Sequence, residues 1–549
     1  MRPLRAEVYG DVASSARFLW ASALALLLVM CANLASLLLS AAVGRRAEFA
    51  LRRALGADDR ALRLQSFVEQ ATLCAMALGI GWVVAGGAMV FLAPRLPGDL
   101  MATDSMRLNG RAALYGLGLA AGVSVLLSGL SRTRARRAEL APRLRDGVRI
   151  SGSGMAPRLR SGLVAGQIAV SLVLVVTTLL LVDTHRRLRE VDPGFRTDGV
   201  VSLRVALAGE DFEQPGSLRT FVDEVERALG GIAGVNDVGM ASRMPFAAAG
   251  PGLGASLFVV GESPDLDGEQ PLGDVIRVSP GFLQTLGVNL ASGRALRAAD
   301  DHESTRVALV NRMAAQMLWP GREAVGARLR TGTTGDSELL VVGVTEDVRL
   351  TDLRRPATPQ VYVPASQFPP RSQAYVVSTE RPWDSIAAEL RGAVASVDRS
   401  QPVYDIQPVD LYVDRSLAGP AAAARLLIAF ALVSVVLAVL GIYAAVSFGV
   451  GVRTSEFGVR RALGARSADI VHMVLREGLG ALGLGLLAGA ATAVVVAQWI
   501  SSQLFGVSPL NPRTYLAAIV GLGTVALLAA LVPTLRAARA DPASVLRDS

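Results

Sequence analysis

The stretch Arg45–Gly56, RRAEFALRRALG, recurs almost letter for letter at Arg453–Gly464 as RTSEFGVRRALG. Each copy follows a long apolar run and precedes another one. A repeat of this kind inside one chain indicates that the architecture itself is duplicated. A short charged segment that lies twice between membrane-length apolar runs predicts a device that acts on membrane helices from one side.

The composition of the repeat favours a helix, because Arg, Ala, Leu and Glu are good helix formers. In each copy a Glu precedes an Arg by four residues, which is the favourable order for a charge pair on a helix. These pairs are Glu48 with Arg52 and Glu456 with Arg460. Gly56 and Gly464 suit a left-handed C-terminal cap. The repeat therefore predicts a span, a short charged helix, a glycine corner and a second span.

Two interpretations of the charged helix remain open. Arginines beside a membrane commonly anchor a span through lipid phosphates, and charge alone favours that interpretation. Lipid anchoring, however, requires neither a phenylalanine nor a corner at a fixed place. Docking an exposed Phe into the groove of a partner protein would need both. The matching second copy therefore favours docking.

Composition places the chain in a membrane. The 549 residues are 51% hydrophobic, and several apolar runs are long enough to cross a bilayer. The formal net charge of +8 is small for this length, and the arginines cluster beside apolar runs rather than alternating with aromatic residues. Nucleic acid binding is therefore disfavoured.

The inventory of reactive residues argues against catalysis. None of the 55 basic residues is lysine, which excludes a GxxxxGK[ST] phosphate loop in these residues. No Ser-His-Asp, Cys-His or paired-acid arrangement stands out, and no cofactor is predicted. Cys31 and Cys74 lie in apolar runs, where a buried hydrophobic role is favoured over a disulfide. His302 lies in an acidic segment, where a solvated loop is favoured over a metal site.

Seven spans are predicted, and arginine-rich short loops orient them. They cover about 18–43, 67–92, 112–130, 163–182, 426–448, 473–500 and 515–531. The loops 44–65, 131–160 and 450–472 and the tail 534–549 are rich in arginine, whereas 95–111 and 501–513 are not. This asymmetry predicts a cytoplasmic C-terminus, cytoplasmic copies of the charged repeat, and an outer location for the N-terminus and the long polar stretch.

The duplication extends beyond the charged repeat. RARRAELAPRLRD at 134–146 aligns with RAARADPASVLRD at 536–548, so the chain contains two parallel three-span units joined through the fourth span. Glu69 and Glu477 fall at matching positions near the starts of two spans. An interfacial role for these carboxylates is favoured over a proton relay because they lie near the cytoplasmic ends.

The polar stretch predicts an extracytoplasmic α+β domain. Strand–helix–strand patterns from Val200 to Ala241 and from Ala374 to Gln407 bracket a β-rich insert at about 255–365. This arrangement predicts a split ferredoxin-like domain with a second subdomain. The helical residues Thr184–Glu190 and Val409–Ser416 continue the adjacent spans, which predicts a stalk of two helices.

With these features the chain resembles the FtsX-like and MacB-type permeases of ATP-binding-cassette (ABC) transporters in their duplicated form. The resemblance rests on EFALRRALGA at 48–57, EFGVRRALGA at 456–465, DPGF at 192–195, VSPGFLQTLGV at 278–288, ALVNRMAAQMLWPG at 308–321, VVGVTEDVR at 341–349 and PQVYVP at 359–364. It covers nearly the whole chain.

The resemblance implies that the charged helices dock on a separate cytoplasmic ABC ATPase. Carried over by position, the docking residues are Glu48, Phe49, Arg52, Arg53 and Gly56, and Glu456, Phe457, Arg460, Arg461 and Gly464. It also implies efflux by mechanotransmission: ATP-driven movement of the spans is passed to the outer domain, and the chain is a permease subunit of the bacterial inner membrane without enzymatic activity. The alternative is an ABC-type scaffold that controls an outer partner, such as a cell-wall hydrolase, without transport.

The expected domains are an outer stalk remnant (1–16), a first FtsX-like unit (17–148), a connecting transmembrane helix (161–183), a MacB-type core domain (184–419) and a second FtsX-like unit (420–549). The duplicated form carries a span and an outer domain ahead of the first unit, and both are missing here. A fragment and a misassigned start are both open explanations. An upstream permease half or a periplasmic adaptor is a further candidate partner, besides the lipid bilayer.

Overall fold

The structure is a computed structural model that describes residues 17, 19–34, 59–92, 110, 114–118, 155–207, 209, 212, 214–247, 254–261, 270–335, 337–453, 456–457, 460, 463 and 466–539. The chain divides into two compact units. Unit 1 comprises Met1–Arg187 and Gly419–Ser549, and unit 2 comprises Leu188–Ala418.

The main α-helices are numbered α1 to α10. Their bounds are α1 (Leu19–Leu34), α2 (Asp59–Leu92), α3 (Met155–Arg189), α4 (Pro215–Gly230), α5 (Gly281–Thr285), α6 (Arg312–Leu318), α7 (Trp383–Val397), α8 (Val409–Val452), α9 (Ser467–Trp499) and α10 (Pro512–Arg539).

Eleven strands are described, all in unit 2. Their bounds are β1 (Val200–Ala206), β2 (Val235–Ala241), β3 (Ala255–Val259), β4 (Leu272–Val278), β5 (Leu290–Gly293), β6 (Val307–Asn311), β7 (Arg328–Thr331), β8 (Leu339–Thr345), β9 (Gln360–Pro364), β10 (Ser372–Thr379) and β11 (Val403–Pro408). Both predicted strand–helix–strand segments are present, as β1-α4-β2 and β10-α7-β11.

These two segments interleave in space. The strands lie in the order β11-β1-β10-β2, and all three pairings are antiparallel. Helices α4 and α7 pack on one face of this sheet. The buried side chains of α4 recur at helical spacing, at Leu218, Phe221, Val222, Val225 and Leu229. They join buried strand residues such as Leu203 and Tyr375 in one apolar core.

The insert closes into a ring of six strands. Its order is β4-β3-β7-β8-β6-β9, and a parallel pairing of β9 with β4 closes it. Strand β5 pairs with β8 beside the ring. A separate apolar core fills it, with Leu257, Val310, Trp319 and Leu329 among the buried side chains. A single residue pair, Ala241 with Val278, links β2 of the first sheet to β4 of the ring.

Four helices of unit 1 are long and apolar enough to cross a membrane: segments Ser161–Arg189, Val409–Gly451, Ala468–Trp499 and Pro512–Arg536. They contain the last four of the seven predicted spans. Many of their large apolar side chains are exposed, such as Leu432, Leu487 and Leu516. A helix that exposes such side chains on one side and buries others is suited to a lipid environment.

The first three predicted spans stay predictions. Leu19–Leu34 and Ala75–Gly87 are shorter apolar helical segments, and residues 35–58 and 119–154 lie outside the described residues. The predicted helical continuations of the fourth and fifth spans are confirmed. Helix α3 runs without a break to Arg189, and α8 begins at Val409.

Helices α3 and α9 approach each other closely in unit 1. Gly485 and Gly489 of α9 are four residues apart, and Ala165 and Ala169 of α3 lie opposite them. A Cβ atom on Gly485 would lie 2.7 Å from the carbonyl oxygen of Ala165, and one on Gly489 would lie 2.8 Å from the Cα of Ala169. Small residues at this spacing allow two membrane helices to approach backbone to backbone.

Candidate coupling site

The second copy of the charged repeat is partly described, and its described residues bear out a helical conformation at 456, 457 and 460. The Nη2 of Arg460 lies 2.7 Å from the Oε1 of Glu456, which is the expected pair four residues apart. The Nη1 of Arg460 also contacts the sulfur of Met473 at 2.9 Å. Since Met473 belongs to α9, Arg460 connects the charged helix to the following span.

The docking interpretation expected an exposed phenylalanine, and the structure differs at this point. Phe457 is 5% exposed, so its ring belongs to the interior of unit 1. Leu463, one residue before the glycine corner, is 82% exposed. Leu463 therefore offers an apolar side chain on the surface of a charged segment. Sequence reasoning did not single out this leucine, although its counterpart Leu55 matches it in the first copy.

The other predicted site residues lie outside what the structure describes. They are Glu48, Phe49, Arg52, Arg53, Gly56, Arg461 and Gly464. Glu69 and Glu477 belong to helices α2 and α9, but their side chains are not among those described. Their interfacial role stays a prediction.

A second arrangement of interest lies in unit 2, where the chain passes from strand β11 into α8. Asp405 has a φ of 57°, which is unusual for a residue other than glycine. The register between β1 and β11 shifts beside it, so Asp405 lies in a β-bulge. Such bulges re-aim side chains, and here the carboxylate of Asp405 meets the first turns of α8.

Three side chains converge on that carboxylate. The hydroxyl of Tyr412 in α8 donates to the Oδ2 of Asp405 at 2.8 Å and accepts from the hydroxyl of the buried Ser202 in β1 at 3.2 Å. Arg204 and Arg415 lie 3.7 and 3.9 Å from Asp405. Asp405 therefore fixes the start of α8 to the sheet of unit 2.

Two substitutions of Asp405 test its contribution to the start of α8. We expect Asp405→Ala to destabilise the first turns of α8 by about 1–2 kcal/mol, because the hydroxyl of Tyr412 loses its acceptor. Asp405→Asn should cost less, since asparagine tolerates this backbone and still accepts a hydrogen bond. Hydrogen exchange of residues 409–416 in the full chain measures both. Equal protection in wild type and Asp405→Ala would contradict this role.

The acidic segment around His302 is organised by arginines. The carboxylate of Asp300 receives two hydrogen bonds of 2.8 Å from the guanidinium of Arg294 and one from the backbone of Arg297. Although burial opposes it, these donors hold the pKa of Asp300 below its ordinary value. His302 is exposed and lies 3.8 Å from Glu303. Among the described residues, no group of three or more His, Cys, Asp or Glu side chains is placed to hold a metal ion.

Motif residues of unit 2 serve its architecture. The backbone N–H of Gly194 in the DPGF segment donates to Asp192 at 2.8 Å. The backbone N–H of Arg349, in the loop after β8, donates to the carbonyl of Pro193 at 2.9 Å. Asn311 begins α6 by accepting from the N–H of Ala314 at 3.0 Å. These residues hold loops and helix ends in place, and they form no reactive constellation.

Comparison with known proteins finds family matches in both units. The sequence pattern of the FtsX-like permease C-terminal family matches residues 20–140 and again residues 428–542. The pattern of the MacB-like periplasmic core domain matches residues 161–398. The permease pattern therefore occurs twice, once around each copy of the charged repeat.

Curated relatives carry related names. The chain is 37% identical over 126 residues to the macrolide export ATP-binding/permease protein MacB of Nitrobacter winogradskyi, covering 22% of this chain and 19% of that protein. It is 27% identical over 365 residues to the protein of the same name from Sodalis glossinidius, covering 63% and 51%. The chain thus spans about half or less of the length of these relatives.

A solved structure, the periplasmic region of MacB from Actinobacillus actinomycetemcomitans, aligns with a TM-score of 0.28 and 14% identity over 40% of this chain and 92% of that one. The assignment rests on the family matches, which between them cover most of the sequence. The chain belongs to the FtsX-like permeases that carry a MacB-like periplasmic core domain, and it is a helical inner-membrane protein with that domain in the periplasm.

Proposed function

We propose that the chain is the permease subunit of an ATP-driven exporter and that it couples a separate cytoplasmic ABC ATPase to its periplasmic domain by mechanotransmission. Export is the activity that the names of the curated relatives state. The sequence contains no lysine and therefore no GxxxxGK[ST] phosphate loop, so the proposal assigns ATP hydrolysis to the partner. The C-terminus and both charged helices face the cytoplasm in this proposal.

The duplicated charged helix supports the docking step. One ATPase would bind each copy of the charged helix in the same way, because the two copies share their Glu-Phe, Arg-Arg and Gly positions. The exposure of Leu463 supplies an apolar contact that an ATPase groove can cover. The ion pair of Arg460 with Glu456 and its contact with Met473 join that surface to α9.

The continuity of α3 and α8 supports the transmission step. Each helix is unbroken from a membrane-length segment into residues of unit 2, ending at Arg189 and beginning at Val409. A continuous helix passes displacement along its axis, whereas a loop would absorb it. The hydrogen bonds of Asp405 and Tyr412 then carry the movement of α8 into the sheet. This continuity is the single observation that favours mechanotransmission most.

Capture of the partner ATPase tests the docking step. Leu55→Asp combined with Leu463→Asp places charge on both apolar contacts, and we expect at least a tenfold loss of ATPase co-purified from membranes. The matched control is Leu510→Asp, which changes another exposed leucine in the segment predicted to face the periplasm. Capture should be unchanged in this control. Wild-type capture by the double variant would exclude the docking role of these helices.

Transport distinguishes the exporter from a scaffold. In vesicles that contain the chain and its ATPase, the proposal expects ATP turnover together with movement of a substrate. Stimulated turnover without any substrate movement would instead favour the ABC-type scaffold that acts on a periplasmic partner.

A further inference from the structure

The membrane segments of α3 and α8 are joined by hydrogen bonds between buried polar groups. The hydroxyl of Ser434 donates to the hydroxyl oxygen of Ser171 at 2.6 Å, and the hydroxyl of Ser171 donates to the carbonyl of Ser434 at 3.1 Å. Both serines are 0% exposed. Two turns further toward unit 2, the hydroxyl of Thr178 donates to the carbonyl of Leu427 at 3.2 Å.

The serine and threonine contacts share one antiparallel register, and the long side chain of Gln167 extends the row to Gly441. Residues 427, 434 and 441 of α8 are seven apart, which is the spacing of a helix–helix seam. Opposite them, Thr178, Ser171 and Gln167 lie along one side of α3, in antiparallel order. We call these six positions the polar seam.

The last position of the polar seam is the tightest. The side-chain oxygen of Gln167 lies against Gly441, where any Cβ atom would overlap it. The same amide donates to the carbonyl of Val29 in α1 at 3.5 Å, and Asn33 of α1 donates to the carbonyl of Leu437 in α8 at 3.4 Å. Three helices therefore meet here through two amides that are 1% and 4% exposed.

The surroundings make this register difficult to change. In lipid, no water replaces a hydrogen bond that is lost when one helix slides past another. A shift by one turn would bring Ser434 opposite Val175 in one direction and opposite Gln167 in the other. Ser171 would then face Ala438 or Phe430, so its hydroxyl would lose its side-chain partner in either case. The amide oxygens of Gln167 and Asn33 already have no donor, so sliding would add further unpaired groups to the same layer.

We propose that the polar seam locks α3 and α8 into one rigid pair, so that the two helices that extend into unit 2 move together and do not slide past each other. Ser171, Ser434, Gln167 and Gly441 are positioning residues in this proposal. This inference refines the proposed mechanotransmission, because it states that the helix pair, and not either helix alone, transmits the movement. The part of its test that uses ATP rests on the proposed function.

Cysteine cross-linking in the full chain tests the register. In a background with Cys31→Ser and Cys74→Ser, the pair Ser171→Cys/Ser434→Cys should form a disulfide in membranes. The offset pairs Val175→Cys/Ser434→Cys and Gln167→Cys/Ser434→Cys should form at least tenfold less. We expect the same pattern with and without the partner ATPase and ATP. If the serine pair fails to form, Thr178→Cys/Leu427→Cys provides a second test of the same register.

The locked protein tests whether the pair moves together. The oxidised Ser171→Cys/Ser434→Cys protein should keep at least half of the ATP-coupled activity that it shows after reduction. Trapping of an offset pair during ATP turnover, or activity abolished by oxidation and restored by reduction, would overturn the proposal. Failure of both in-register pairs in a folded protein would overturn it as well.

This experiment separates the inference from the proposed function. If no ATPase couples to the wild-type chain, the exporter proposal fails, yet the cross-linking pattern in membranes still decides whether the register of α3 and α8 is single. If coupling is present and offset pairs form during turnover, the rigid pair fails while the exporter stands.

Discussion

At pH 8, the free energy of unfolding of the periplasmic domain is expected to be about 3 kcal/mol higher in the Glu226→Gln variant than in the wild type. At pH 4 the two proteins should have nearly the same stability. The effect comes from one carboxyl group in α4, which burial raises to a pKa of about 7. The Oε1 of Glu226 is buried and has no hydrogen-bond partner.

The surroundings of Glu226 explain this cost. Burial disfavours its charged form most, and the neighbouring Asp223 opposes a second negative charge, while a hydrogen bond with Ser279 acts in the other direction. Tyr375 lies in the same core, and burial together with the charge of Glu226 raises the pKa of Tyr375 well above its ordinary value. The site therefore accommodates a neutral carboxyl better than a carboxylate.

The direction of the pH dependence follows from the proton that the folded state retains. An unfolded glutamate releases its proton near pH 4.5, whereas Glu226 in the fold keeps it to about pH 7. Between these values the native state binds more protons, so the free energy of unfolding falls as pH rises, and above pH 7 it stays low. Glutamine has no proton to lose, so the variant lacks this decline.

Urea unfolding of the full chain in nanodiscs, followed by pulse proteolysis of the periplasmic domain at several pH values, measures the difference. Glu224→Gln is the matched control, because Glu224 is exposed two residues earlier on the same helix. Its stability should follow the wild-type pH profile. Parallel profiles for Glu226→Gln and wild type would show that the carboxyl group is not the source of the pH dependence.

The second large effect is expected where α9 meets α3. Gly485→Ala and Gly489→Ala should each destabilise unit 1 by about 1–3 kcal/mol, because the new methyl group meets backbone atoms of α3 that cannot turn away. A Cβ atom on Gly485 would also lie 2.8 Å from the Cβ of Ile168, so the new methyl group cannot move aside in that direction either. Both substitutions should lower the temperature at which the detergent-solubilised chain loses its monodisperse form.

Gly483→Ala makes the same chemical change on the same helix where no atom lies within 4 Å of the new methyl group. Alanine is the better helix former, so this control should be neutral or stabilising by about 0.5–1 kcal/mol. An equal loss of stability at Gly483 and Gly489 would mean that helix propensity, and not the α3–α9 contact, decides the outcome.

Most of the regular structure of the periplasmic domain could be read from the sequence because its signals are local. Alternating apolar runs predicted β1, β2 and β10, and the amphipathic stripe that begins at Leu218 predicted α4. Strands β5 and β7 have no comparable local signal. Every position of β5, from Leu290 to Gly293, is exposed, and the alternation of β7 covers only four residues, which is too short to recognise as a strand.

The features that depend on distant partners could not be read in this way. The parallel pairing of β9 with β4 joins Gln360 to Asp274, and no local pattern announces it. The burial of Phe457 likewise depends on how the charged helix packs, although its sequence suited an exposed contact. The left-handed backbone of Asp405 becomes visible only once the bulge beside β1 is seen.

The closed ring of strands in the insert affects how readily the periplasmic domain can aggregate. A sheet with a first and a last strand offers two rows of unpaired backbone groups, on which a strand from another molecule can assemble. Since β9 returns to β4, the six ring strands are paired on both sides. While folded, the insert therefore offers fewer free strand edges for strand exchange or fibril nucleation than an open sheet of the same size.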